Sequence, residues 1–294
     1  MNIQIKLAAL QRRGLSLFLS LVIAFGLLIS IPQPAMAGTG VKRLTKGKTV
    51  TTTLTGSKRH NVKYTAKDMY NNRYRLDFKL YIDGKVAYTY KSSYDSHEDA
   101  NVWLLEVNNN TKLICISIDS QDEPLSIALK IFNYSAGKLR MCGDIHKLMN
   151  EKWGWGILPY PVKAGNNKLS ISTIMQAQSI GVYDEIAKFN YSASNNKVSK
   201  ASNINEVSFY DDSGWYNSWN NNWGTVAKSF NVYTKAGGST LSFTAYVGNY
   251  LRVQRVTKVN GALYFEVKNT QGKVGWYKNQ NDWVPYFREA NYAS

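Results

Sequence analysis

Three histidines (His60, His97, His146) and two cysteines (Cys115, Cys142) carry most of the reactive side-chain chemistry in this chain of 294 residues. Cys142 and His146 would be the thiol and base of a nucleophilic site. A nucleophilic thiol needs a lowered pKa, as at a helix start. Cys142 instead follows a strand-like run over Lys138–Met141, with nothing near it to stabilise a thiolate. The stretch Cys142–His146 reads as a strand leaving into a turn. His97 lies in Asp95-Ser-His97-Glu98-Asp99, a metal site by composition. Zinc ligands converge from separate segments, and no second His or Cys has matching spacing, so the stretch reads as a solvated acidic loop. No Gly-x-Ser-x-Gly elbow is present for a serine hydrolase. Glycosidase chemistry needs two facing carboxylates, whereas Asp184-Glu185 and Asp211-Asp212 are adjacent and point to opposite faces of a strand.

Aromatic residues are better placed for binding than these groups are for catalysis. Trp215, Trp219 and Trp223 recur every fourth residue among Asn, Asp, Ser and Gly. Asn217, Asn220–Asn222, Gly214 and Gly224 argue against the helix that would stack them. Two readings stay open: a platform for sugar rings or bases, or tryptophans that pin a linker between small β domains by burying apolar area. Trp153 and Trp155 carry the same alternatives. Trp276 reads as core or as a groove wall.

The first 37 residues read as a secretory signal peptide. Lys6, Arg12 and Arg13 supply the charged region, Leu15 to Ile31 the apolar core, and Ala35-Met36-Ala37 the small-residue cleavage site. The mature chain, Gly38 to Ser294, keeps thirty-three basic and twenty acidic residues, a net charge of +13 against +16 for the whole sequence. A basic exported surface has anionic partners to hand: envelope polymers, lipid headgroups, acidic polysaccharide. The lysines are dispersed, without the runs that mark nucleic-acid tails, so no specific nucleic-acid partner is expected. After cleavage no membrane span is expected. The ending Ala290-Asn-Tyr-Ala-Ser294 carries no apolar tail, from which either non-covalent retention at the cell wall or release to the exterior is expected.

Positioning these residues falls to β-strands. Runs rich in Val, Ile, Thr, Tyr and Phe cover Lys48–Thr55, Arg75–Ile82, Val86–Ser92, Val102–Val107, Lys112–Ile118, Ser126–Tyr134, Lys168–Met175, Ile186–Tyr191, Leu251–Val259, Ala262–Lys268 and Val274–Lys278. Asp83-Gly84, Asn260-Gly261 and Gln271-Gly272 stand between pairs of them as hairpin turns. The fold class is all-β. Cys115 and Cys142 fall two strands apart in a meander, about 9–10 Å, beyond disulfide reach. An internal echo relates Asn110–Ser117 to Asn166–Thr173 and Ile131–Ala136 to Lys188–Ala193. About three such units fit between residues 41 and 205, too few to close a propeller, which leaves an antiparallel sandwich or an open, propeller-like stack. Residues 206–228 read as an aromatic linker and residues 229–294 as a compact C-terminal module.

That module carries Val232-Tyr233, Gly248, the alternation Leu251-Arg-Val253-Gln-Arg-Val256, Gly261, Tyr264, Val267, Gly272 and Gly275-Trp276. In these it resembles the bacterial Src-homology-3-like barrel of secreted envelope proteins. The resemblance implies a small β-barrel and a binding task, commonly on peptidoglycan peptides or the cell wall. It makes Tyr233, Tyr264 and Trp276 candidate ligand contacts, with Arg252 and Arg255 drawing anionic polymer and Trp215, Trp219 and Trp223 as further candidates. The larger region resembles FG-GAP-like β-repeats, whose Asp-rich loops commonly bind calcium. The corresponding loop here, Leu54–Asn61, has Thr55, Ser57 and Arg59 in place of carboxylates, and Glu106–Asn110 has one carboxylate, so no metal or cofactor is expected. The expected function is that of a secreted, non-catalytic protein of a Gram-positive bacterium, held non-covalently by peptidoglycan or an anionic envelope polymer. The alternative is an envelope hydrolase whose groups are assembled from scattered residues.

Overall fold

The computed structural model describes residues 40–68, 76–92, 98–120, 126–149, 157–209, 219–280 and 284–292. The secretory segment read over residues 1–37 lies outside them, as do His97, Trp153, Trp155, Asp211, Asp212, Trp215 and Trp283.

The chain is all-β, as its alternating patterns require. After the short β1 (Val41–Arg43), β2 (Val50–Thr53), β3 (Arg59–Asp68), β4 (Leu76–Ile82) and β5 (Lys85–Lys91) form a four-stranded antiparallel meander. β6 (Glu98–Asn108), β7 (Thr111–Ser120), β8 (Ser126–Ser135) and β9 (Lys138–Asp144) form a second, with β1 added beside β6. A five-residue helix, α1 (Ile145–Met149), then leads on to a third meander. This comprises β10 (Ile157–Gly165), β11 (Lys168–Ala177), β12 (Gly181–Ser192) and β13 (Lys197–Lys200).

The middle sheet is covered on both faces. Leu113 and Cys115 of β7 point into one core with Leu169, Ile171 and Phe189 of the third meander. Ile114, Ile116 and Ile118 point into another with Val62, Phe78 and Leu80 of the first. Burial on both sides is why β7 reads as a nearly unbroken apolar run, while β4 alternates buried and half-buried residues. The internal echo is the match between the second and third meanders. Asn110 and Asn166 each precede the second strand of a meander, and Phe132-Asn133-Tyr134 and Phe189-Asn190-Tyr191 lie on the third strands. The matched units also touch: Asn108 Nδ2 donates to Asn167 Oδ1 at 2.6 Å and Asn133 Nδ2 to the Tyr191 hydroxyl at 3.1 Å.

The remaining strands are β14 (Asn205–Ser208), β15 (Trp223–Thr225), β16 (Phe230–Tyr233), β17 (Leu241–Ala245), β18 (Tyr250–Val259), β19 (Ala262–Asn269) and β20 (Val274–Lys278). The expectation of a closed C-terminal barrel is corrected here. β14 pairs with both β12 and β18, so these strands extend the third sheet in the order β12-β14-β18-β19-β20-β16-β17. β17 pairs with β16 alone, and the row of strands stays open among the described residues. The C-terminal core also takes Ala177, Ile180 and Tyr183 from the β11–β12 hairpin, packed with Phe265, Tyr277, Tyr286 and Phe287. Backbone bonds from Tyr286 N to Ser179 O (2.9 Å) and Val182 N to Asn291 O (2.8 Å) fasten the last residues to that hairpin. Gly181 permits the approach: its φ is +77°, and a Cβ there would lie 2.1 Å from Asn291 O. Among the described residues no helix is long and apolar enough to cross a membrane.

Candidate functional site

Register places most of the candidate binding residues on one face of the C-terminal strands. Val232, Leu251, Val253, Val256, Phe265, Val267 and Tyr277 fill the core, and their neighbours along each strand point the other way. Paired residues across β15, β18, β19 and β20 give an outer row Trp223–Arg252–Lys268–Val274. A second row runs Glu206–Arg255–Glu266–Trp276–Tyr233 across β14, β18, β19, β20 and β16. Beside it lie Thr257, Tyr264 and Lys278. Arg252 and Arg255 are three residues apart and would point to opposite faces of a regular strand. A bulge between Val253 and Arg255 inserts Gln254 and turns both arginines to the same side.

Their chemistry then differs. Arg255 is held by two hydrogen bonds, Nε to Glu266 Oε2 and Nη2 to Glu266 Oε1, both 2.5 Å, and its guanidinium lies 5.9 Å from the Trp276 ring centroid. Those bonds raise its pKa further, and its charge is already matched by the buried Glu266. Arg252 has no carboxylate partner among the described residues, and its Nε is buried without a hydrogen bond. Beside it Trp223 stacks on Tyr250, centroids 5.1 Å apart and planes at 15°. Of the other candidates, Trp276 is buried and Tyr233 and Tyr264 are half-buried. Trp219 is core: it stacks on Phe209 at 3.9 Å and 3° and packs against Phe287. Trp219 is thus buried in the core, while Trp223 is half-buried against Tyr250.

A cleft of about 220 Å³ opens where β17 departs from β18. Its walls are Phe243, Thr244 and Tyr250, with Asn269, Gln271 and Lys273 from the β19–β20 turn. Tyr246 and Val247 stand exposed in the connection between β17 and β18. The cleft offers aromatic surface, amides, three hydroxyls and one ammonium, and no carboxylate among the described residues lines it. The sequence does not show it because two connections and the ends of three strands contribute. The legible part was Tyr250, two residues before Arg252 and so on the same face.

Elsewhere, the reactive groups are committed to structure. Cys115 and Cys142 are free and buried on β7 and β9, with β8 between them. The Cys142 thiol donates to the Ile131 carbonyl at 3.3 Å, and burial pushes its pKa up to about 12, away from a thiolate. His146, on α1, meets Ser126 Oγ through Nε2 at 3.2 Å, and burial lowers its pKa. His60 Nδ1 bonds Asp83 Oδ2 at 2.7 Å, which, with the Asn61 amide, lowers the Asp83 pKa. Asp184 and Glu185 point to opposite faces: Glu185 takes a 2.5 Å bond from Asn205 Nδ2, while burial lifts Asp184 to about 7. The loop compared with calcium sites is tied down by Gly56 N to Asn110 O (2.9 Å) and Thr55 Oγ1 to Asn133 Oδ1 (2.8 Å). No group of three or more His, Cys, Asp or Glu among the described residues could hold a metal ion.

Fold and site together define a layered, antiparallel all-β protein with an aromatic and cationic face at one end of its longest sheet. Comparison with protein-family models, curated proteins and solved structures found no match to the chain.

Proposed function

We propose that this is an exported, non-catalytic binding protein, retained non-covalently in a bacterial envelope by its C-terminal strands. The observation that carries the reading is the cleft beside β17: two aromatic walls, amide groups and Lys273, with Arg252, two residues beyond Tyr250, lacking a carboxylate partner among the described residues. Such a lining suits a hydroxylated, anionic ligand about the size of one sugar ring or the end of a wall peptide. Aromatic faces take the apolar side of the ligand, amides its hydroxyls, and the ammonium its negative charge. The resemblance to Src-homology-3-like envelope modules and the signal peptide read at the N-terminus support the same assignment, as does the basic net charge.

The test is co-sedimentation of the mature protein with purified sacculi at low and at physiological salt. Tyr250→Ala and Lys273→Gln are expected to weaken binding about tenfold each, roughly 1.4 kcal/mol. Higher salt should weaken the wild type more than Lys273→Gln. Retention unaffected by both substitutions, or absent even at low salt, would remove the assignment.

A further inference from the structure

The outer face of the first meander has a composition that its place in the fold does not explain. Its inner face packs against the middle sheet through Val62, Tyr64, Ala66, Phe78 and Leu80. Outward, register sets Lys63 beside Tyr81, Thr65 beside Lys79, and Lys67 beside Asp77, with Thr89 and Lys91 continuing the rows on β5. Lys63, Lys79 and Lys91 thus form a diagonal across β3, β4 and β5 with steps of about 7–8 Å. Asp77 is the only carboxylate in these rows and pairs with Lys79 at 3.3 Å. Lys63, Lys67 and Lys91 have no carboxylate within 4.0 Å among the described residues.

Lysine on an edge strand protects against sheet-to-sheet association, which accounts for Lys91 on β5. It does not account for Lys63, Lys67 and Lys79, because β3 and β4 are paired on both sides. Like charges gathered on one sheet face cost stability unless something anionic meets them. Along the same face runs a groove of about 510 Å³, lined by Thr49, Asn61, Lys63, Thr65, Tyr81 and Gly84. It pairs the ammonium with hydroxyls, an amide and the side of one phenol ring. Nucleic acid is a poor fit, since sequence-tolerant binding of single strands relies on several aromatic platforms, and Tyr81 is the only aromatic side chain among the described residues that line the groove.

We propose that this face is a second binding site, for a linear polymer of phosphodiester-linked polyol units, with phosphates on Lys63 and Lys79 and hydroxyls on Asn61, Thr65 and Tyr81. The site is separate from the C-terminal cleft and acts whether or not that cleft binds wall material. Lipid-free poly(glycerol phosphate) serves as the probe, titrated into the mature protein and followed by calorimetry at about 50 and 200 mM salt. The double variant Lys63→Gln/Lys79→Gln is expected to bind at least tenfold more weakly and to lose most of the salt dependence. Lys197→Gln, at an exposed position of β13 outside both sites, should bind this probe as the wild type does, and the double variant should sediment with purified sacculi as the wild type does, which keeps this test apart from that of the cleft. Both substitutions lie on a solvated face, and unchanged thermal unfolding will verify that the variants are folded. Equal binding by the double variant overturns the proposal. So does a thymidine oligonucleotide that binds as tightly as the polyol polymer, which would make the face a nucleic-acid surface.

Discussion

Asp184 shows how much a single side chain weighs in this fold. It sits on the outer face of β12, paired in register with Ile174 and Ser208, and burial lifts its pKa from 3.8 to about 7. The folded chain therefore holds a proton that the unfolded chain releases between about pH 4 and pH 7. The stability that Asp184 contributes is fully present below pH 4 and is lost as pH rises towards 7. Asp119, lifted to about 6, acts in the same direction, while His146, lowered by burial, opposes both over its own window. Replacing Asp184 with Asn removes the larger of the two carboxylate shifts. The variant should gain roughly 2–4 kcal/mol over the wild type at pH 8 and little at pH 4. Urea unfolding at the two pH values measures this, and parallel pH dependence in the two proteins would disprove the assignment to Asp184.

At the scale of the strand, the bulge in β18 organises the C-terminal face. Were Gln254 paired in a regular ladder instead of bulged, the alternation would turn Arg255 towards the core, away from Glu266, and shift Val256 outwards. Deleting Gln254 leaves Arg255 opposite Glu266 and Val256 inward in a regular ladder, so it is expected to cost less than about 1.5 kcal/mol, and Gln254→Ala should stay within about 0.5 kcal/mol. Chemical denaturation measures both, and a deletion costing more than about 3 kcal/mol would mean that Gln254 does more than set which faces the flanking residues take. The bulge also marks a limit of sequence reading. The alternation Leu251-Arg-Val253 was legible, but the shared face of Arg252 and Arg255 depends on a local irregularity with no fixed residue signature. Strands with apolar or β-branched runs, such as β7, β8 and β19, were readable where they occur. β3 was missed because its outward positions are Lys63, Thr65 and Lys67, so only Val62, Tyr64 and Ala66 mark it. β10 was missed because Pro159 and Pro161 argue against a strand. It tolerates them as the edge of its sheet, with register breaks on both sides of Tyr160-Pro161. The cleft was the least legible part, since Phe243, Tyr250 and Lys273 meet only once three hairpins are folded.

Over the whole molecule, continuity of hydrogen bonding matters more than the changes of composition along the chain. Residues 206–228 have the polar, aromatic character of a linker, yet the sheet runs through β14 from the third meander into the C-terminal strands. The last residues return to close the same core. Asn279 Oδ1 accepts from Ser179 N at 3.1 Å, the Ser179 and Tyr277 hydroxyls meet at 3.2 Å, and Tyr292 donates to Gln178 O at 2.5 Å. A core shared in this way should open as one cooperative unit. Gly181→Ala tests it, because its added Cβ would strike Asn291 and the residue would have to keep a positive φ. The variant should lose about 2–4 kcal/mol. Amide exchange should accelerate together in β12 and in β19, although β19 never touches the substituted residue through its own ladder. Acceleration confined to β12 and the last residues would mean that the C-terminal strands fold as an independent module. The joint response would mean that the cleft beside β17 is anchored by the third meander, so that a force applied at the C-terminal strands is borne by the β11–β12 hairpin and the strands behind it.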